Sequence, residues 1–248
     1  MRSKKISRNK VLMLLFQSLN LYLLLGDLML SVKKEKLLIV DFGSQYTHLI
    51  ARRVRELGVY SEIIPYNSWT GTENVKGVIL SGGPMSVWSA DSPKVSPEII
   101  RRTVEQKIPL LGICYGFQLI AWIFGGKVVE SPSGEYGPAT LHIISKSSLF
   151  RDLPREIRVW MSHRDIVENL PDGFISIAKT DTCPIAAFES MDNLIFGVQF
   201  HPEVYHTEYG AKILENFLKI CGFSKTWRVE SFLKEKIEQI RRLVGGLR

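Results

Sequence analysis

The sequence predicts an α/β domain with an open, mostly parallel sheet and helices on both faces. Two observations carry this prediction. Short, wholly apolar runs such as KLLIVDF at residues 36–42 are typical of strands that a parallel sheet buries on both sides. Helical segments with apolar residues three or four positions apart alternate with these runs from Lys36 onward, and such alternation is typical of open α/β sheets.

The predicted elements follow the chain in a regular order. After the first strand comes a helix that Gly58 ends. Three further strands are expected at residues 59–66, 77–84 and 108–114. A helix at residues 115–124 follows them, and Gly125 and Gly126 stop it. Beyond about residue 127 the predicted pieces become shorter and richer in β-branched residues.

The C-terminal part contains three more predicted elements. Residues 197–204 form a strand that ends in a loop, and residues 211–221 form a closing helix. A last amphipathic helix is expected at residues 227–244. Its pattern fits two alternatives equally well, packing on the domain or reaching towards a partner.

The charge distribution argues against nucleic acid as a partner. The chain has 248 residues, of which 45% are hydrophobic and 23% charged, with a formal net charge of +7. Residues 1–36 carry a net charge of +6 and residues 222–248 one of +4, whereas residues 37–221 carry −3. A nucleic-acid-binding protein needs a basic face on its folded body, so we expect no nucleic-acid partner.

Residues 1–35 form a basic and apolar extension that the sequence does not assign to the folded domain. A membrane span needs about 20 apolar residues, but the apolar stretch at residues 11–30 contains Gln17, Ser18, Asn20 and Asp27. No small-residue cleavage site of a signal peptide is visible. Two alternatives stay open: translation starts at Met29, so that the segment is absent from the mature protein, or the segment is a helix on a membrane surface.

Three cysteines at irregular spacing indicate neither a disulfide framework nor a zinc site. We therefore expect a reducing, cytoplasmic compartment. Cys183 lies in a Thr-Asp-Thr-Cys-Pro turn and Cys221 ends an apolar helix, so packing accounts for both.

Cys114 has the sequence surroundings of a nucleophile. Gly112-Ile113-Cys114-Tyr115-Gly116 follows an apolar strand and opens a helix, the pattern of a sharp turn that projects a nucleophilic side chain above a sheet. The N-terminus of the helix favours the reactive thiolate. The Tyr115 N–H and the loop Ser81-Gly82-Gly83-Pro84 offer backbone donors for an oxyanion. Taken alone, the same pattern also fits core packing.

A base for this nucleophile is predicted at a strand end. His201 lies in Gln-Phe-His-Pro-Glu, and residues two apart in an extended chain point the same way, so Glu203 can orient the imidazole. This is the nucleophile–base–orienter arrangement of a catalytic triad. His206 is a less favoured substitute for His201.

The remaining histidines have simpler interpretations. His48 on the first helix and His142 in a strand-like run are interpreted as packing or surface residues. His163, in Met-Ser-His-Arg-Asp, is either a loop histidine with satisfied hydrogen bonds or a residue that contacts a partner or transmits a signal.

Together these motifs resemble the class I (triad) glutamine amidotransferases and, more narrowly, the glutaminase domain of the GMP synthase branch. The similarity runs from about residue 36 to residue 221. The segments that carry it are VDFGSQYTHLIARRVRE, LSGGPMSV, GICYGFQLIA, GEYGPA, WMSHRD and FGVQFHPEV. DFGSQY, GEYG and MSHRD favour the GMP synthase branch over other branches of the family.

The resemblance implies a flavodoxin-like fold and a role for each site residue. Cys114 is implied as the nucleophile, His201 as the general base and acid, and Glu203 as the residue that orients the histidine. Gly83 and Tyr115 are implied to supply the two oxyanion-hole N–H groups.

The resemblance also assigns a substrate residue, Gln118. This residue lies one helical turn beyond Cys114 and is implied to help bind the substrate L-glutamine. The alternative interpretation is a polar residue on a solvated helix face.

The resemblance predicts a partner as well. Full-length members of the family continue into an ATP pyrophosphatase domain that opens with a Ser-Gly-Gly-Val-Asp-Ser loop. The sequence ends near the expected start of that loop, and residues 222–248 resemble the linker before it. We therefore expect no cofactor on this chain. ATP and Mg²⁺ are expected on a separate subunit that aminates XMP to GMP, unless a broken gene has removed it.

Two rival functions stay open at this stage. One is another cysteine hydrolase on a similar fold, such as a γ-glutamyl peptidase. The other is a non-catalytic domain, either regulatory or a remnant of a split GMP synthase.

Overall fold

The computed structural model describes residues 35–245, except for some side chains after residue 234. The proposed N-terminal extension, apart from Glu35, lies outside these residues. The strands are β1 (Lys36–Asp41), β2 (Ser61–Pro65), β3 (Val75–Leu80), β4 (Leu110–Ile113), β5 (Lys127–Ile143), β6 (Glu156–Asn169), β7 (Phe174–Lys179), β8 (Ala187–Ser190) and β9 (Ile195–Val198). The helices are α1 (Thr47–Glu56), α2 (Pro97–Glu105), α3 (Tyr115–Ile123), α4 (Gly210–Ile220) and α5 (Val229–Gly245).

The strands form a nine-stranded sheet in the order β2-β1-β3-β4-β9-β8-β7-β5-β6. The first half, from β2 to β9, is parallel throughout. The second half is antiparallel, from the β9–β8 pair to the β5–β6 pair. The predicted α/β class is confirmed, and the sheet is mixed because its C-terminal half reverses direction at β8.

The helices cover both faces of the sheet, as predicted. On β1, Leu37 and Ile39 face the core that α1 and α4 complete. The alternating residues Leu38 and Val40 face the core that α2 and α3 complete. Because successive strand residues point to opposite faces, a strand between two helical layers must be apolar at every position, which explains the unbroken run in β1.

The predicted shortening of the elements after residue 127 is wrong. β5 and β6 have 17 and 14 residues and pair along most of their length. Prolines and glycines in SPSGEYGP at residues 131–138 hide this strand in the sequence. They are tolerated because β5 pairs with β7 only at His142 and Ile143, which leaves most of one β5 edge outside the sheet ladder.

Helix α5 begins against the domain and then presents apolar residues to solvent. The Phe232 ring stacks on Tyr60 with 5.7 Å between ring centroids. The exposed apolar residues of the helix are Val229, Leu233, Ile237, Ile240 and Val244. None of the helices within residues 35–245 has the length and apolar composition that a bilayer crossing requires.

Candidate active site

The backbone at Cys114 makes the sharp turn that the sequence predicted. Cys114 directly follows β4 and precedes the first residue of α3, with φ of 52° and ψ of −103°. A positive φ is uncommon for a residue that carries a Cβ and costs free energy that the surrounding structure must offset. The turn therefore stores strain at the residue whose side chain it projects.

The two glycines that flank Cys114 serve a purpose that the sequence did not predict. We expected them to relax the turn itself, whereas Cys114 takes the positive φ. A Cβ at Gly112 would lie 2.5 Å from the carbonyl oxygen of Gly116, and one at Gly116 would lie 2.4 Å from that of Leu80. Both glycines are needed because β3, β4 and α3 approach one another too closely for a side chain.

The loop after β3 lies directly against the start of α3. Gly116 N donates to the carbonyl oxygen of Ser81 at 3.0 Å. A Cβ at Gly83 would lie 3.1 Å from Cγ of Tyr115, so the two predicted oxyanion residues are neighbours. As the first residue of α3, Tyr115 has an N–H without an acceptor inside the helix.

His201 and Glu203 form a buried pair just beyond the end of β9. Nδ1 of His201 lies 2.8 Å from Oε1 of Glu203. The other Glu203 oxygen is buried and has no hydrogen-bond partner within the part of the chain that the structure describes. Arg53 on α1 donates from Nε to the Glu203 carbonyl oxygen at 3.1 Å, which anchors the backbone of this segment.

The sulfur of Cys114 completes the group by hydrogen-bonding to the His201 imidazole. Burial alone would lower the pKa of His201, but Glu203 and the ionised Cys114 attract the positive charge and raise the pKa well above its ordinary value. The ring of Tyr46 also meets the imidazole edge-on, with 5.0 Å between centroids. The structure thus brings the three predicted triad residues together.

Gln118 is buried, so its interpretation as a residue on a solvated helix face is wrong. Its side chain is 4% exposed. Nε2 donates to the Asp165 carbonyl oxygen at 2.8 Å and to Oε1 of Gln199 at 3.1 Å. The residue lies near Cys114 and its amide nitrogen is occupied by protein acceptors.

The other histidines lie in different surroundings. The His206 ring stacks on Trp160 with 4.6 Å between centroids, so His206 does not take the place of His201 beside Glu203. His142 pairs with Glu156 and Asp181, and His48 is an exposed residue of α1. His163 is buried and lies on strand β6, not in a loop, which excludes direct contact between its ring and a partner.

One segment near Cys114 was not predicted as part of the site. The carbonyl oxygen of Ser162 lies 3.7 Å from the Cys114 sulfur, and that of Asp165 accepts the hydrogen bond from Gln118. WMSHRD was recognised as a motif, but its contact with Cys114 depends on the pairing of β6 with β5, which the sequence analysis did not predict.

The ligand atoms of Glu135, His163 and Cys183 lie within 4.8 Å of one another, close enough to suggest a metal site. Their chemistry does not fit one. Burial, with the nearby Glu135 charge, raises the pKa of Cys183 to about 12, and the thiol donates to the Ile185 carbonyl oxygen at 3.2 Å. A neutral thiol is not a metal ligand, and both His163 nitrogens have protein partners.

The comparison with known protein families decides the classification. The family model described as "Glutamine amidotransferase class-I" matches residues 38–221. The chain belongs to this family. Membership of the class-I glutamine amidotransferases confirms the resemblance drawn from the sequence.

Curated relatives in this amidotransferase family include GMP synthases (glutamine-hydrolysing). The chain is 49% identical over 218 residues to the Clostridium tetani protein, covering 86% of this chain and 42% of the relative. It is 48% identical over 219 residues to the Caldicellulosiruptor saccharolyticus protein, covering 87% of this chain and 42% of the relative. The chain thus spans about two fifths of the length of these relatives.

Solved structures of amidotransferases have the same fold. A Thermoplasma acidophilum protein assigned to GMP synthase, as one of its subunits, is 34% identical, with a TM-score of 0.64, covering 76% of this chain and 94% of its own. A Thermotoga maritima glutamine amidotransferase is 22% identical, with a TM-score of 0.59, covering 82% of this chain and 85% of its own. The second similarity concerns the fold alone.

Proposed function

We propose that this chain is the glutamine-hydrolysing component of a GMP synthase. It releases ammonia from L-glutamine, and a partner synthetase uses that ammonia to aminate XMP to GMP. The observation that carries the proposal is the juxtaposition of Cys114, His201 and Glu203 on the fold of this family. The identity with GMP synthases over most of the chain supports the branch.

The first half of the proposed reaction forms a thioester. The Cys114 thiolate attacks the side-chain carboxamide carbon of glutamine, and the carbonyl electron pair moves to oxygen. Backbone N–H groups of Gly83 and Tyr115 bind this oxyanion, an effect typically worth about 3 kcal/mol per donor. The His201 imidazolium then protonates the nitrogen, so that the C–N bond breaks and ammonia leaves.

The second half releases glutamate. Neutral His201 removes a proton from a water molecule that attacks the thioester carbon. The C–S bond breaks and the thiolate returns to its starting state. Glu203 keeps the imidazole oriented and stabilises its positive charge in both halves, and Gln118 lies along the substrate pocket.

The proposal assigns the nucleotide chemistry to the partner. The steps above use side chains and backbone groups of this chain and no cofactor. ATP and Mg²⁺ belong on the XMP-aminating ATP pyrophosphatase, either as a separate subunit or as a further domain. A cytoplasmic location follows from the nucleotide substrates of that partner.

The experiment that tests the proposal measures glutamate release by the full chain from free glutamine and from γ-glutamyl peptides. We expect hydrolysis of glutamine, and GMP formation from XMP and ATP when an XMP-aminating synthetase is added. Cys114→Ala should abolish both, and the control Cys183→Ala should retain both. Preferential hydrolysis of γ-glutamyl peptides would contradict the proposed substrate, and full activity of Cys114→Ala would contradict the nucleophile.

A further inference from the structure

We propose that Glu135 and His163 form a positioning pair that sets the backbone geometry around Cys114 and Gln118. The inference rests on the proposed function, because it concerns residues that act on the glutaminase site through other residues. Neither side chain touches the predicted triad. Both lie one layer away from it, where strands β5 and β6 pair.

The pair is buried and its hydrogen bonds are complete. Glu135 and His163 are directly opposite each other in the β5–β6 register, and their side chains are 11% and 1% exposed. His163 Nε2 lies 3.0 Å from Oε2 of Glu135, and Nδ1 lies 3.0 Å from the Asp165 carbonyl oxygen. Both partners are acceptors, so both ring nitrogens donate and the ring is an imidazolium.

Glu135 connects this ion pair to a third part of the fold. Its Oε1 accepts hydrogen bonds from the hydroxyls of Thr180, at 2.7 Å, and Thr182, in the turn after β7. Burial raises the pKa of the Glu135 carboxyl, but the hydrogen bonds from His163, Thr182 and Thr180 outweigh it and lower the pKa overall. The charged carboxylate therefore ties β5, β6 and this turn together.

The connection to the site passes through two carbonyl groups that flank His163. The Asp165 carbonyl oxygen accepts from both His163 Nδ1 and Gln118 Nε2, so one atom joins the positioning pair to the predicted substrate residue. The Ser162 carbonyl oxygen lies against the Cys114 sulfur at 3.7 Å. A shift of the backbone at residues 162–165 would move both contacts at once.

The expected effect of breaking the pair is a loss of rate. Small displacements of catalytic groups by distant substitutions can lower a rate by about 100-fold. We expect His163→Ala and Glu135→Ala to lower kcat/KM for glutamine by on the order of 100-fold, with most of the loss in kcat.

Glu135→Gln is the conservative variant that distinguishes positioning from bulk. A glutamine amide can accept from the two threonines through its oxygen and donate through its nitrogen to a neutral His163. The ring then keeps its Nδ1 hydrogen bond to Asp165. We expect this variant to recover at least about tenfold of the rate lost in Glu135→Ala.

The matched control is His142→Ala. His142 also faces a glutamate across the same two strands, with Nδ1 3.3 Å from Oε1 of Glu156. It lies at the other end of the pair, far from Cys114 in the register. We expect its kcat and KM to stay within a factor of about two of the wild-type values.

The test uses the full chain and two readouts. One is kcat and KM for glutamine per folded molecule. The other is the rate at which the glutamine-like electrophile 6-diazo-5-oxo-L-norleucine labels Cys114, followed by mass spectrometry. A residue that contributes only to stability would lower the melting temperature without changing either readout.

The outcomes separate the inference from the function beneath it. Folded His163→Ala with wild-type kcat, KM and labelling rate would overturn the inference. If that variant does not fold, equal kcat and labelling rate in Glu135→Ala, Glu135→Gln and wild type would overturn it instead. A wild-type chain that neither hydrolyses glutamine nor takes up the electrophile would remove the proposed function itself.

Discussion

Nδ1 of His201 lies 2.8 Å from Oε1 of Glu203, with both side chains buried at the end of β9. The two residues are separated by Pro202 alone, so a single turn of chain supplies the base and the carboxylate that orients it. Since Nδ1 faces the carboxylate, Nε2 is the ring nitrogen left for the Cys114 sulfur. The relationship fixes which nitrogen exchanges protons during the proposed reaction.

The first prediction concerns pH. Glu203 is a cause of the raised His201 pKa, so Glu203→Gln should lower that pKa. The reactive thiolate–imidazolium state exists only below the pKa of the imidazolium. Its alkaline limit should therefore move to lower pH in the variant. The measurement is the pH dependence of Cys114 alkylation, and an alkaline limit that stays in place or moves upward would be inconsistent with the pair.

The second prediction concerns strain at the turn. Cys114 has a φ of 52°, which glycine adopts at little cost. Cys114→Gly should therefore have a higher free energy of unfolding than Cys114→Ala, by about 1 kcal/mol. Chemical denaturation of both variants measures this difference. Equal stability would mean that the turn stores no strain.

The third prediction concerns the space around the turn. Gly112→Ala should lower the free energy of unfolding by about 3 kcal/mol, because its Cβ would lie 2.5 Å from the Gly116 carbonyl oxygen. Gly71→Ala is the control, since a Cβ there meets nothing within 4 Å. Similar denaturation midpoints for the two variants would contradict the close approach of β4 and α3.

The fourth prediction concerns the three thiols. Burial raises the pKa of Cys221, and burial with the Glu135 charge raises that of Cys183, so both remain protonated at neutral pH. Iodoacetamide should modify native protein once, at Cys114, and unfolded protein at all three cysteines. Peptide mapping measures the sites. Comparable native labelling of Cys183 or Cys221 would refute the assigned burial.

The parallel half of the sheet and the triad could be predicted because their signals are local. The apolar runs of β1, β3 and β4 lie between two helical layers, and His201 and Glu203 are two residues apart. Helix α2 was not predicted, although Ser96 and Pro97 carry a helix-start signal: Ser96 Oγ accepts from Glu98 N at 3.3 Å.

The pair Glu135–His163 could not be predicted, because it depends on register. The two residues are 28 positions apart, and the β5–β6 pairing shifts between Glu130 and Glu135. A shift of one position reverses which face a strand residue occupies. The sequence gives no local signal for that shift, so His163 fitted a loop position equally well.

The most direct test of the account is to trap the covalent intermediate and locate it. Wild-type chain treated with 6-diazo-5-oxo-L-norleucine should gain one adduct at Cys114 and lose glutaminase activity in proportion. Cys114→Ala should gain none and hydrolyse glutamine at least about 10⁴-fold more slowly. An adduct on Cys183 or Cys221 that abolishes activity, or undiminished hydrolysis by Cys114→Ala, would contradict the assignment of Cys114 as the nucleophile.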